Sequence, residues 1–447
     1  MTLTPSSSLI QAWCDAIDLD RKELTCMPAL PDMQPFKLRY DKLVIAVGAY
    51  SNTFGIPGVE QHGFFLKEIS HAQKIRAKII ECFEMASEPN TPDDVKWRLL
   101  SFAVVGGGPT GVEFSAELHD FIKDDLSRLY PTLMDKVTLT VYDVGSKILS
   151  TFDASLADYA ARKFAREGIK IRTKTYIKRV EKNKLILADG SEEPFGVLVW
   201  STGLTATPLI RELGAARSRD NRLVVDEYLR VLRRVHDSGA AAEAPHADTP
   251  AAATTTKDKP APISDSPAAS TSKDKPATIA AKDAPSPPTA SRDVYTPIPS
   301  VYALGDCASL LHLSLPATAQ VASQQGTYLR KHLNKLPTLP APTSPTYTSS
   351  FSALPKFEYS HMGSMVYVGG WKAIMDATSS PTDTHPATTG EKGTQAPSRL
   401  PRALRGRLAW FVWRSAYLVK SVSLRNMVLI PASWLFSFLF GRDTSRF

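Results

Sequence analysis

Cysteine is scarce in this chain of 447 residues, with only Cys14, Cys26, Cys82 and Cys307. None sits in a C-x-x-C, and no spacing matches a zinc site. That argues against a disulfide scaffold, a structural zinc and a redox-active dithiol of close cysteines, and no metal site is expected. No apolar run reaches about 18 residues, so an ordinary transmembrane helix is not expected. Met1 to Trp13 contains no Lys or Arg and too short an apolar stretch for a signal or transit peptide, so no N-terminal address is read there. Net charge is also missing from most of the chain. Residues 399–447 hold nine basic residues and one acidic residue, 9 − 1 = +8, which is the whole formal charge of +8. The balanced body excludes a basic nucleic-acid groove and confines the cationic surface to the C-terminal tail. Phe, Trp, Tyr, Leu and Val are all absent between Asp237 and Arg292, a stretch holding nine prolines. Such a segment cannot bury enough apolar surface to offset its ordering entropy, and it reads as a disordered insertion. Residues 379–398 read the same way.

The remaining sequence alternates short β-rich runs with helical stretches. Lys42–Val47, Phe102–Val105, Val137–Tyr142, Ile169–Arg172, Lys184–Leu187 and Val197–Ser201 have strand character. His71–Met85 has helical spacing, with Ile75, Ile79, Ile80 and Phe83 on one side. Thr110–Leu129 reads as one helix ending before Pro131, and Ala154–Glu167 as a helix stopped by Gly168. This alternation predicts a parallel, doubly wound α/β architecture.

The strongest chemical signal is Ser101-Phe-Ala-Val-Val-Gly106-Gly107-Gly108-Pro109-Thr110-Gly111-Val112-Glu113. A buried strand runs into G-x-G-x-x-G and then a helix. Gly106 allows the tight turn, Gly108 lets backbone approach a pyrophosphate, and Gly111 lets helix and strand pack closely. Asp143, at the end of the next strand, suits the adenosine ribose and repels a 2′-phosphate, favouring NADH over NADPH. Glu113 has two readings of equal weight: a carboxylate favoured by the helix dipole, or a group beside the nicotinamide ring. Gly305-Asp306, at another strand tip, suits a ribityl hydroxyl or a phosphate-bound metal, though taken alone such a pair is more often an ordinary turn. Gln320 and Gln324 lie four apart and share one helix face. The tail runs Leu408–Val419 and Val428–Phe440 mix aromatic and aliphatic residues with Arg405, Arg407, Arg414, Lys420 and Arg425. Helices lying in a membrane interface fit this pattern, the alternative being a core helix pair or a dimer contact. Pro431 is expected to interrupt the second run.

Taken together, Ile45–Ala49, the GGGPTG run, Trp200–Gly203 and Ala303–Asp306 resemble a two-dinucleotide flavoprotein. Ser51-Asn52-Thr53-Phe54-Gly55-Ile56-Pro57-Gly58-Val59, Phe65-Leu66-Lys67-Glu68-Ile69, Ala319–Gly326 and Trp413–Leu418 narrow the resemblance to the type II NADH:quinone oxidoreductases, the alternative NADH dehydrogenases of mitochondria and bacteria. The resemblance implies two Rossmann-like domains and a membrane-binding C-terminal region. It implies NADH reducing FAD and the flavin reducing ubiquinone without proton pumping, peripherally on the mitochondrial inner membrane. Residue by residue, it implies Gly106, Gly108, Gly111, Glu113 and Asp143 for NADH, with Thr202 and Gly203 on the nicotinamide side. Ala46, Gly48, Gly305 and Asp306 would touch FAD. Gln320, Gln324 and Tyr417 would serve the quinone, with Glu113, Gln320 and Gln324 as catalytic residues. A homodimer and an anionic membrane surface are the further partners it suggests. The implied organisation is a part of the FAD domain at 1–66, the NADH domain at 67–203, a return to the FAD domain and quinone site at 204–236 and 293–378, insertions at 237–292 and 379–398, and a membrane region at 399–447. The family's usual opening strand, glycine turn and helix for the FAD pyrophosphate has no counterpart before Trp13. That departure keeps open an alternative, a truncated NADH-binding, membrane-associated relative without redox turnover.

Overall fold

The computed structural model describes residues 7–235, 294–336, 347–377, 403–419, 423–442 and 444. The expected insertions at 237–292 and 379–398 lie outside these described residues. One compact unit comprises Met1–Leu232 with Pro297–Phe447; a second, Arg233–Thr296, is described only at its borders.

A five-stranded parallel sheet organises the centre of the chain, in the order Phe64–Phe65, Val197–Trp200, Ser101–Val105, Thr138–Tyr142, Lys170–Arg172. Its central strands are near-continuous apolar runs because helices and loops cover both faces. Phe102, Val104, Val141 and Val199 join one core with Ile75, Ile79, Ile80 and Phe83 of the helix Ile69–Ser87, as their i, i+4 spacing requires. The helix Ala154–Arg166 starts where the Asp153 carboxylate accepts from Ser155 N–H, and it stops before Gly168 at φ +79°. The single helix expected over 110–129 is instead an α-helix, Pro109–Phe121, a π-helical turn, Ile122–Leu126, and a last turn, Ser127–Leu129.

A second five-stranded sheet runs Ala308–Leu310, Leu223–Val225, Arg230–Val235, Val294–Ala303, Leu43–Ile45. Its core gathers Ile45, Val225, Val301, Ala303 and Leu329. Among the described residues four antiparallel sheets complete the fold, one of them the two-stranded pair Tyr50–Ser51 with Leu204–Thr205. Lys184–Leu187 belongs to one of them, with Ile177–Glu181 and Glu192–Pro194, rather than to the parallel sheet. Another is Ala12–Asp18, Glu23–Pro28 and Phe36–Arg39. Here the reading of cysteines as far apart is corrected: Cys14 and Cys26 stand directly opposite each other across the first two strands. Sequence distance does not translate into spatial distance once a hairpin folds back.

The C-terminal sheet Ser364–Gly369, Lys372–Asp376, Ala403–Gly406 packs Val366, Tyr367, Val368 and Ile374 onto the parallel-sheet core. Two helices follow, Arg407–Val419 and Leu424–Phe440. The second runs through Pro431 rather than breaking there. Proline removes one backbone hydrogen bond, which this long apolar helix absorbs. Among the described residues no helix is long and apolar enough to cross a membrane.

Candidate functional site

The strand Ser101–Val105 runs into the glycine turn and the helix Pro109–Phe121, whose N-cap is Gly108. Gly106 has φ +115°, and its N–H donates to Tyr142 O at 2.8 Å. A Cβ on Gly106 would lie 2.6 Å from Ser201 O and 3.0 Å from Thr202 Cβ, so Thr202 borders the turn directly. A Cβ on Gly111 would lie 1.9 Å from Gly106 O, which leaves no space for any side chain. Gly108 is the opposite case, with no atom within 4 Å of its Cβ direction. No side chain caps this helix start, so its first N–H groups and the positive end of its dipole face open space, a fit for a pyrophosphate.

Asp143 follows the neighbouring strand. Its Oδ2 accepts from Gly107 N–H at 2.5 Å and its Oδ1 from Gly145 N–H at 2.6 Å. The carboxylate therefore pins the glycine turn, and each oxygen keeps a second lone pair for a ribose hydroxyl. This backbone duty is invisible in the motif.

The crossing between the two sheets lies at Trp200–Gly203. Trp200 Nε1–H donates to Asn52 O at 2.9 Å, and Asn52 N–H donates to Gly203 O at 3.2 Å. Gly203 has φ +70°, and a Cβ there would meet the Phe54 ring at 2.5 Å. The Ser51–Phe54 loop thus lies over Gly203 because that residue has no side chain.

Ala46 and Gly48 follow the strand Leu43–Ile45, which pairs in parallel with the end of Val294–Ala303. Ala46 is therefore beside Leu304 and Gly305, and Leu304 N–H donates to Ile45 O at 3.0 Å. Gly48 has φ +67° and open space at its Cβ direction. Gly305 N–H donates to Gln325 Oε1 at 2.7 Å, and Asp306 accepts from Lys67 Nζ at 2.9 Å. Gln325 is buried. Neither Gln325 nor Lys67 stood out as a site residue. The Phe65–Ile69 segment is the one sequence signal that contains Lys67.

Gln320 and Gln324 do share a face of the helix Ala319–Lys335. Gln320 Oε1 accepts from Tyr359 OH at 3.0 Å. Gln324 holds the Ser360 main chain twice, its Nε2 donating to Ser360 O at 2.8 Å and its Oε1 accepting from Ser360 N–H at 3.0 Å.

Glu113 sits elsewhere, at the meeting of the glycine-turn helix with the C-terminal region. Its Oε1 accepts from Tyr367 N–H and from Trp413 Nε1–H, each at 3.1 Å. Tyr367 stacks on Trp413 with ring centroids 5.4 Å apart, and Trp413 meets Tyr417 at 5.0 Å. Tyr367 is itself anchored: its OH donates to the buried Asp120 carboxylate at 2.6 Å. Burial pushes the Glu113 carboxyl up from 4.5 to about 7, against the two donors that hold it down and with nearby Glu117 adding to the rise. Both donors reach Oε1, which leaves Oε2 as the oxygen available to a proton. Burial alone would raise Asp120, but the nearby His119 ring and the bonds it accepts from Tyr367 OH and Gly370 N–H keep it below its ordinary value. The structure thus joins Glu113 with Tyr417. Among the described residues no contact links either of them to Gln320 or Gln324.

Comparison with known proteins follows the same division. The pyridine nucleotide-disulphide oxidoreductase family matches residues 6–253, and the NDH2 C-terminal domain family matches residues 361–443. A probable NADH dehydrogenase of Dictyostelium discoideum is 34% identical over 98% of this chain and 76% of its own length. The internal alternative NAD(P)H-ubiquinone oxidoreductase A1, mitochondrial, of Arabidopsis thaliana is 34% identical over 99% of this chain and 72% of its own. NDH2 from Plasmodium falciparum, solved in complex with NADH, superposes with a TM-score of 0.71 at 21% identity, covering 98% of this chain and 85% of that one. The last shows the shared fold. The pyridine nucleotide-disulphide family is FAD-dependent and NADH-binding.

Proposed function

Because the chain belongs to the NDH2 family of pyridine nucleotide-disulphide oxidoreductases, we propose that it oxidises NADH and passes two electrons to ubiquinone at a membrane surface, without moving protons across it. FAD, when bound, supplies the hydride acceptor and the two-electron donor. The rest is the work of this chain's residues. Gly106, Gly108 and Gly111 bring backbone N–H groups up to the NADH pyrophosphate. Asp143 orients the adenosine ribose and excludes a 2′-phosphate. Thr202 and Gly203 border the nicotinamide. Ala46, Gly48, Gly305 and Asp306 form the flavin edge, with Lys67 and Gln325 fixing the last two. Gln320 and Gln324 brace the Tyr359–Ser360 segment on the quinone side, and Tyr417 lines the quinone approach. Glu113 holds a proton on Oε2 near neutral pH, where quinone reduction requires protons.

The domain assignment is 67–203 for NADH, 1–66 with 204–236 and 293–378 for FAD and quinone, and 399–447 for the membrane. The tail supports a lipid-borne acceptor. Leu408, Phe411, Leu424, Val428, Phe436, Leu439 and Phe440 are all exposed. The Arg414 guanidinium lies over both the Trp410 and Trp434 rings, at 5.2 and 3.7 Å, the mix of cation and aromatic that suits a headgroup layer. Its site in the cell is the mitochondrial inner membrane, with the protein peripheral.

The observation that carries this reading is the Glu113 cluster, in which one protonatable carboxyl joins the dinucleotide helix to the C-terminal helix bearing Tyr417. The test is NADH consumption by purified, flavin-containing protein with a soluble ubiquinone. Turnover that requires quinone and favours NADH over NADPH is expected. Bound flavin without quinone-dependent turnover would overturn the proposal.

A further inference from the structure

Cys14 and Cys26 occupy directly opposite positions in the antiparallel pair Ala12–Asp18 and Glu23–Pro28. Directly opposite residues place their side chains on the same face, with Cα atoms ~4.5–5.5 Å apart. A disulfide requires ~4.4–6.8 Å, so the backbone needs no rearrangement to bridge them. In the reduced pair the Cys14 thiol donates to Ala16 O at 3.7 Å, while Cys26 lies directly across the ladder from it. The surroundings divide their roles. Ala12–Asp18 is the edge strand of its sheet, and Cys14 is partly exposed, whereas Cys26 is buried behind it. The strand also bulges immediately after Cys14, where the register shifts before Ala16, leaving the Cys14 side open to small solutes. The other two cysteines, Cys82 and Cys307, are fully buried and free.

We infer that Cys14 and Cys26 form a reversible dithiol/disulfide couple, with Cys14 as the thiol attacked by a hydroperoxide and Cys26 as the resolving thiol. In the first step the Cys14 thiolate attacks one peroxide oxygen. The O–O bond breaks, an S–O bond forms, and hydroxide (or an alkoxide) leaves with the electron pair; it takes up the proton lost by Cys14. In the second step the Cys26 sulfur attacks the Cys14 sulfenic sulfur, the S–O bond breaks, and the oxygen leaves as water carrying the Cys26 proton. Two electrons pass from the thiol pair to the peroxide. A dithiol reductant returns them through two thiol–disulfide exchanges. Burial and the neighbouring Cys26 and Asp15 push the Cys14 thiol upward. The couple is therefore slow at neutral pH and accelerates as pH rises. The disulfide would lock the hairpin register beside its bulge. The face it locks carries Ile17, which packs on the core of the second sheet.

The experiment treats the reduced full chain with a small excess of hydrogen peroxide, then denatures it and counts thiols. A fall from four to two is expected, restored by dithiothreitol, with one Cys14–Cys26 linked peptide in the non-reduced digest. Cys14→Ser should keep its three thiols through the same treatment. Cys26→Ala should stall with a dimedone-reactive sulfenic acid on Cys14, which wild type does not accumulate. A thiol count that stays at four, a linkage between two chains, or a link to Cys82 or Cys307 would overturn the couple. So would a loss of thiols that dithiothreitol does not restore.

Discussion

Replacing Glu113 by Gln tests the carboxyl at the junction of the two regions without disturbing its shape. The amide keeps an oxygen that accepts from Tyr367 N–H and Trp413 Nε1–H, so packing survives while the titration disappears. In the wild type the folded state holds the Glu113 proton more tightly than the unfolded chain does, from 4.5 up to about 7. An acid raised in this way favours folding at low pH, and that contribution fades as pH climbs through the window. At about 1.4 kcal/mol per pH unit, the displacement corresponds to about 3 kcal/mol. For a chain of this size, that is about 6 °C of melting temperature at roughly 2 °C per kcal/mol. Differential scanning fluorimetry at about pH 5 and about pH 8 gives the comparison. Wild type and Glu113→Gln should melt together at the acid end, and the variant should melt higher at the alkaline end. Equal melting temperatures at both ends would show that Glu113 is solvated and ordinary, and the reasoning from burial would fail. In the quinone assay the same variant should lose turnover and the limb of the pH profile near neutrality.

Five further outcomes follow from other contacts. Gly108→Ala, whose new methyl enters open space, should leave the melting temperature unchanged and weaken NADH binding, read by fluorescence titration. Gly111→Ala, whose methyl would collide with Gly106 O, should lower soluble yield or melting temperature sharply. Trp413→Phe removes one of the two donors that hold the Glu113 carboxyl down, so the pH profile of quinone reduction should shift upward. Asp143→Asn leaves the backbone N–H of Gly107 or Gly145 facing an amide donor. It should raise the KM for NADH and narrow the preference over NADPH. Leu439→Asp with Phe436→Asp should abolish co-flotation with anionic vesicles while sparing turnover with a water-soluble quinone, the split that separates docking from chemistry.

The parts readable from sequence are those whose causes are local. The strand, turn and helix around Gly106–Gly111 are contiguous, and the steric need for glycine at 111 comes from Gly106 O only five residues back, although Gly106 itself is also crowded by the distant Ser201 O. The helix Ala154–Arg166 is likewise announced by its Gly168 stop. What long-range pairing decides is not readable. The two donors to Glu113 come from 254 and 300 residues away, and no periodicity near Glu113 points to them. Gln320 and Gln324 stand out because they repeat at helical spacing. Yet the residue that holds Gly305 is Gln325, one position on and turned inward by the helix. Lys184–Leu187 has the composition of a buried strand, and only its neighbours make it antiparallel. Cys14 and Cys26 look unrelated until the hairpin register makes them opposite.

The central claim is electron flow from NADH through flavin to quinone, and its two half-reactions can be followed anaerobically in one cuvette. Adding NADH to the flavin-loaded protein should bleach the oxidised-flavin absorbance, and adding a short-chain ubiquinone should restore it in full. A flavin that NADH does not reduce, or a reduced flavin that ubiquinone leaves bleached, would contradict the account.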